Sequence, residues 1–177
     1  MIETGPNSLL LFGPLRSALS AAPAFRSLKL HEFMSKQISQ TLRESPLFKH
    51  LSKGELERVV AIGSVKKFAD SQTIIEENNP VDYLYIVLRG RVRVWTTGPR
   101  GEVELKELGR GAYFGEVSLM SGNTATASVE VSQGPAKLVA LERQPLLEFI
   151  QSDERLRKML QGVTLARAKD TIGKVFK

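Results

Sequence analysis

The sequence predicts a mainly β protein, an antiparallel β-roll or jelly roll, with α-helices before and after it. Apolar residues recur at helical spacings of three and four up to Gly63, and short β-branched and aromatic segments with period two then follow as far as Leu141. After Pro145 the helical spacing returns. A chain of 177 residues suits one core of ordinary size, so we expect a single roll.

The part before the roll has two predicted regions. Residues 1–29 mix glycine and proline with short apolar bursts, so we expect a flexible or partner-dependent N-terminal arm. Residues 30–63 contain two predicted N-terminal helices, and in the second of them Ser52 and Glu55 have the spacing of a capping box. Gly63 is expected to end that helix as a left-handed cap.

Seven short strands are predicted within residues 64–142, which form the roll. Turns at Arg89-Gly90 and at residues 97–101 would connect antiparallel neighbours, and closure of the sheet would hide its edges. Residues 143–177 are predicted to form the C-terminal helices. The strands are expected near residues 65–68, 73–75, 84–88, 92–95, 103–108, 126–131 and 137–141.

The residue types needed for catalysis are scarce. The chain has no cysteine, and its two histidines, His31 and His50, both lie in the helical N-terminal region rather than on strands. A metal site or a base beside a serine nucleophile would require ligands or partners that converge, and this arrangement supplies neither. We therefore expect a protein that is not an enzyme and holds no metal or cofactor.

Charge and hydropathy constrain the partners. The net charge is +6, and residues 153–177 hold seven Lys or Arg against three Asp or Glu, which we interpret as a solvated helix face. Too few residues follow the last predicted helix for a helix-turn-helix, so specific DNA binding is not expected. Apolar runs are far shorter than the ~20 residues that span a bilayer, so we expect no membrane span and a cytoplasmic location.

A candidate ligand site lies where a glycine-rich turn and Tyr113-Phe114 lead into a short apolar helical run. Gly115 would let the backbone approach a ligand, and the amides of Glu116, Val117 and Ser118 at a helix start would suit a phosphate. A carboxylate beside a phosphate suits a sugar hydroxyl, so the pattern points to a nucleotide. Alternatively, Glu116 is a helix-start carboxylate that the helix dipole stabilises without any ligand.

The segment from Phe68 to Val131 resembles the cyclic nucleotide-binding domain family. That resemblance implies a β-roll whose phosphate-binding cassette takes cAMP, cGMP or a cyclic dinucleotide. The family's phosphate-pairing arginine falls on Ala125. The resemblance is carried by Phe68, Ile74, Glu77, Pro80, Asp82, residues 84–87, Gly90, Val92 and Val94, and in the cassette by Leu108, Gly109, Gly111, residues 114–116 and Gly122. The candidate ligand-binding residues are Gly115, Glu116, Val117, Ser118, Thr124, Ala125 and Thr126, of which Thr124 and Thr126 offer hydroxyl donors.

Two functions follow from this resemblance. The first is a regulatory signalling module that senses a cyclic nucleotide and repositions its C-terminal helices. The second is a ligand-independent module that binds a protein partner, or dimerises, through the N-terminal arm and the C-terminal helices. Alanine at position 125 favours the second, because a lost charged hydrogen bond of about 1.5–3 kcal/mol weakens phosphate binding by roughly ten- to 150-fold.

Overall fold

The computed structural model describes residues 22–122 and 124–175. Most of the arm predicted for residues 1–29 therefore lies outside the described residues. The chain divides into two compact units, residues 1–34 and residues 35–177. The second unit contains the sheet and every described helix except the beginning of the first.

Two helices precede the sheet, α1 (Ala22–Glu44) and α2 (Lys53–Ala61). Helix α1 begins earlier than the region predicted from residue 30, since a proline is tolerated in the first turn of a helix. The capping box of α2 is confirmed: the Ser52 hydroxyl accepts from the Glu55 amide at 3.3 Å, and the Ser52 amide donates to Glu55 Oε2 at 2.7 Å.

The prediction for Gly63 is wrong. Ile62 ends α2 in the right-handed region, and Gly63 is the first residue of a strand. A Cβ atom at Gly63 would lie 3.2 Å from Cδ2 of Leu141. Glycine therefore serves close packing between strands at this position and not a left-handed turn.

The described residues form one antiparallel six-stranded sheet. The strands are β1 (Gly63–Phe68), β2 (Thr73–Ile75), β3 (Tyr83–Gly98), β4 (Gly101–Leu108), β5 (Tyr113–Phe114) and β6 (Ser128–Glu142). They run in the order β1-β6-β3-β4, with β2 paired to β6 and β5 paired to β3. This arrangement confirms the predicted fold class, a β-roll with flanking helices. The predicted closure of the sheet is not seen among the described residues, where β1 pairs only with β6 and β4 only with β3.

Four of the seven predicted strands merge in pairs into the long strands β3 and β6, and the turn predicted at Arg89-Gly90 is wrong. Gly90 lies inside β3 with φ of 90°, and the pairing register with β6 shifts around it. A Cβ atom at Gly90 would lie 2.9 Å from Cα of Ala136. The glycine therefore bends a continuous strand against its neighbour instead of reversing the chain.

The core lies on both sides of β3, which explains its uninterrupted apolar run. Alternate side chains of a strand point to opposite faces. Leu84, Ile86 and Leu88 pack with the helices, whereas Tyr85 and Val87 pack inside the roll. Period-two polarity is absent here because both faces are buried.

Three helices accompany the later strands: α3 (Glu116–Ser121), α4 (Arg143–Gln151) and α5 (Glu154–Val175). Leu156 and Leu160 bury α5 against the helical side of the core. Farther along, α5 lies against α3 and β4. On its outer side Leu165 and Ile172 are exposed, and the predicted association through α5 stays a prediction.

Candidate functional site

The turn between β5 and α3 requires a glycine. Gly115 has φ of 91°, in the region that L side chains rarely adopt. A Cβ atom at Gly115 would also lie 2.7 Å from the carbonyl oxygen of Tyr83 in β3. The close approach predicted for Gly115 is therefore present, and its observed neighbour is the main chain of β3.

Helix α3 begins directly after this glycine, as the sequence predicted. The first amides of a helix lack intrahelical acceptors, and here the Leu119 amide is the first to bond back, donating to the Gly115 carbonyl at 3.1 Å. Ser118 is buried, and its hydroxyl donates to the Thr124 carbonyl at 3.2 Å. That bond ties α3 to the loop that leads towards β6.

A cavity of about 90 Å³ lies beneath this turn, inside the roll. Six of the seven ligand-binding residues predicted from sequence line it, and Thr124 does not. Thr124 contributes its main-chain carbonyl to Ser118. The lining residues are Ile75, Val94, Leu105, Phe114, Gly115, Glu116, Val117, Ser118, Ala125, Thr126, Ala127, Val129, Arg167 and Thr171.

Glu116 is the acidic residue of this cavity and is 1% exposed. Its Oε1 accepts from Nη1 of Arg167 at 2.7 Å. Its Oε2 is buried and accepts no hydrogen bond from any residue that the structure describes. Burial raises the pKa of Glu116, and the neighbouring Arg167 charge acts in the opposite direction without reversing the shift.

Arg167 comes from α5 and was not predicted as a site residue. Besides Glu116, its Nη1 donates to the Tyr113 carbonyl at 3.1 Å, and its guanidinium carbon lies 4.6 Å from the centre of the Tyr113 ring. A signal was present in the sequence, because Arg167 follows Leu160 by seven residues and Val163 by four, on one helical stripe of α5. A charged residue on such a stripe requires a partner.

Ala125 is buried and faces the cavity, where the family resemblance predicts an arginine. Its main chain is held on both sides, since its amide donates to the Asn79 carbonyl and its carbonyl accepts from the Asn78 amide, each at 2.8 Å. Asn78 and Ser71 are both left-handed, with φ of 69° and 59°. Asn78 and Ser71 therefore both adopt a backbone conformation that glycine adopts more readily.

Within residues 22–122 and 124–175, no group of three or more His, Cys, Asp or Glu side chains could hold a metal ion. In the same part of the chain, no helix is both long and apolar enough to cross a bilayer.

An antiparallel roll with a cavity behind a strand-glycine-helix turn defines a ligand-binding β-roll. The profile of one such family, the cyclic nucleotide-binding domain, matches residues 65–153. The chain belongs to the cyclic nucleotide-binding domain family.

Known proteins agree with this assignment. The cAMP-dependent protein kinase type II regulatory subunit of Drosophila melanogaster is 30% identical over 119 residues, which are 67% of this chain and 30% of that protein. The regulatory domain of Toxoplasma gondii PKA, crystallised with cAMP, aligns with a TM-score of 0.63 and 28% identity over 67% of this chain and 45% of that one. The N-terminal domain of a transcriptional regulator from Streptomyces coelicolor aligns with a TM-score of 0.60 and 28% identity over 75% of this chain and 93% of that one.

The chain thus spans less than a third of the length of that curated relative. What it shares with these proteins is a regulatory binding domain, which is not itself catalytic.

Proposed function

We propose that this chain is a non-catalytic, cytoplasmic signalling module that takes a cyclic nucleotide into the cavity beneath Gly115 and α3. The observation that carries the proposal is the carboxylate of Glu116, which lines the cavity, is buried and keeps one oxygen without a hydrogen-bond donor. Membership of the cyclic nucleotide-binding domain family supports it.

A buried acceptor without a donor has a free-energy cost of about 1–3 kcal/mol, and more if it is charged. A hydroxyl group of a sugar would remove that cost by donating to Oε2 of Glu116. A phosphate in the same position would instead be repelled by the carboxylate. The ligand therefore presents its sugar to Glu116 and its phosphate elsewhere in the cavity.

The size of the cavity links binding to α5. About 90 Å³ is well below the roughly 300–1,000 Å³ of pockets that hold drug-sized ligands. Arg167 and Thr171 of α5 form part of the lining, so outward movement of α5 would enlarge it. A ligand shifts α5 only by the difference in its affinity for the closed and open arrangements, which makes α5 the output of the module.

The second candidate is a module that has kept the fold and no longer binds a cyclic mononucleotide. Two observations favour it: the cavity is small, and its acidic residue is already paired with a basic residue of the same chain. In this case protein association, including dimerisation, would be the function.

A calorimetric titration of the purified chain separates the two candidates. The protein, first freed of any co-purified nucleotide, is titrated with cAMP, cGMP and a cyclic dinucleotide. We expect saturable heat with at least one ligand, and Glu116→Ala to remove most of it. The matched control is Glu104→Ala, which removes an exposed carboxylate of β4 away from the cavity.

No heat and no thermal stabilisation at millimolar ligand would exclude the sensor and leave the ligand-independent module. Equal binding by the Glu116 and Glu104 variants would mean that the ligand binds outside this cavity.

A further inference from the structure

The cavity contains one basic side chain among the residues that the structure describes, Arg167. It lies beyond residue 153, where the match to the family ends. Position 125, which also faces the cavity, carries only a methyl group. Among the described residues that line the cavity, the positive charge therefore comes from α5. Lys106 of β4, whose charge also acts on Glu116, is not one of the lining residues.

The guanidinium of Arg167 keeps unused donors. Both of its hydrogen bonds, to Oε1 of Glu116 and to the Tyr113 carbonyl, are made by Nη1. An arginine has five N–H donors on three nitrogens. Nε and Nη2 of Arg167 make no hydrogen bond to any residue that the structure describes. The Arg167 side chain is 30% exposed, whereas that of Glu116 is 1% exposed. The Arg167 side chain therefore extends from the buried Glu116 carboxylate towards solvent.

The net charge of the cavity depends on Arg167. With Glu116 as its acid and no other base among the described lining residues, the cavity without Arg167 would be negative and would repel a phosphate. With Arg167 it is neutral. An arginine binds phosphate well because its planar fork donates two parallel hydrogen bonds.

The segment that follows Arg167 is also attached to the roll. Nζ of Lys174 donates to the Leu105 carbonyl of β4 at 2.6 Å. Helix α5 is thus held against the roll at Arg167 and again at Lys174, about two turns later. In the empty cavity, these contacts hold the Arg167 side chain at the lining.

Resting on the proposed function, we propose that Arg167 is the phosphate-binding residue of this site, supplied by α5 in place of an arginine at position 125. In the empty cavity its Nη1 pairs with Glu116. In the occupied cavity, Nε and Nη2 bind the ligand phosphate while the sugar hydroxyl donates to Oε2 of Glu116. The opposite hypothesis is that Arg167 is a plug that the ligand must displace from Glu116. The two hypotheses predict changes of opposite sign.

The test titrates cAMP, or cGMP if that is the ligand that binds, into the full chain and into Arg167→Gln. We expect the affinity of Arg167→Gln to fall roughly ten- to 150-fold, as loss of a charged hydrogen-bond pair predicts. Arg167→Lys, which keeps the charge but not the fork, should lose less. The matched control is Arg157→Gln on α5, which removes the same charge outside the cavity and should bind like the wild type.

Adenosine, which has the sugar and base without the phosphate, serves as the uncharged probe. A fall for the cyclic nucleotide without a comparable fall for adenosine supports phosphate binding by Arg167. Unchanged or tighter cyclic nucleotide binding by Arg167→Gln overturns the inference, and tighter binding identifies the plug. If the wild type binds no cyclic nucleotide, the proposed function itself fails, and this inference fails with it.

Discussion

Replacement of Gly115 by alanine tests the geometry on which the site depends. The substitution places a side chain at φ of 91°. For an L residue this backbone conformation costs roughly 1–2 kcal/mol, as the left-handed helical conformation does. The new Cβ atom would also lie 2.7 Å from the Tyr83 carbonyl oxygen. That oxygen belongs to the main chain of β3 and cannot rotate away, so overpacking adds roughly 1–3 kcal/mol. We expect Gly115→Ala to lower the free energy of unfolding by about 2–5 kcal/mol.

The matched control is Gly134→Ala in β6. Gly134 is also left-handed, with φ of 58°, but a Cβ atom there would meet no atom within 4 Å. Only the conformational cost of roughly 1–2 kcal/mol remains. Urea unfolding of both variants and the wild type, followed by far-UV circular dichroism, measures the difference through the midpoint at a common m-value.

A Gly115→Ala variant that is no less stable than Gly134→Ala would contradict this expectation. Such a result would mean that the chain moves away from β3 at little cost, and that the turn before α3 is not held by its neighbours.

Three further predictions concern stability. Ser71→Gly should raise the free energy of unfolding by about 1 kcal/mol, and the melting temperature by roughly 2–4 °C, because glycine relieves the left-handed φ of 59°. Asn78→Gly should raise the free energy of unfolding less, since asparagine tolerates this region. An equal rise for both variants would contradict this explanation. Ser52→Ala removes the capping box and should lower the free energy of unfolding by about 1 kcal/mol, measured by thermal unfolding. Ser52→Asp should lower it less, because aspartate also caps helices. Equal stability of the wild type and both variants would contradict a stabilising cap. Burial raises the pKa of Glu116, so the folded state binds its proton more tightly than the unfolded state, and stability falls as pH rises from the ordinary carboxyl value through the raised one. Urea titrations from pH 4 to pH 8 should show the wild type losing stability relative to Glu116→Gln in that window, and a relative gain would refute the sign.

Local features of the fold were predictable where a few adjacent residues decide them. The capping box depends only on Ser52 and Glu55, and its two hydrogen bonds are present. Strand β2 has the bounds that its β-branched residues predicted. Gly90 was misassigned because a glycine with positive φ serves a turn or a bend equally well. The neighbour that decides between them, Ala136, is far away in sequence.

The residues of the site also differ in whether adjacent sequence was enough to predict them. Gly115 and Glu116 follow each other in a cassette, and sequence reasoning identified both as site residues. Arg167 was missed because it reaches Glu116 across 51 positions of the chain, and a charged residue on a helical stripe does not by itself identify its partner. Thr124 was included for its hydroxyl, whereas the structure uses its carbonyl oxygen.

By itself, the sequence determined the class of fold, the family and the position of the glycine turn, because periodicity and cassette residues act over short stretches of chain. Only the tertiary structure decided that Glu116 is buried with one oxygen unpartnered, that the cavity is about 90 Å³ and that its positive charge comes from α5. Burial and charge pairing depend on which distant segments meet. The pairing of strands that are distant in sequence and the docking of α5 bring those segments together.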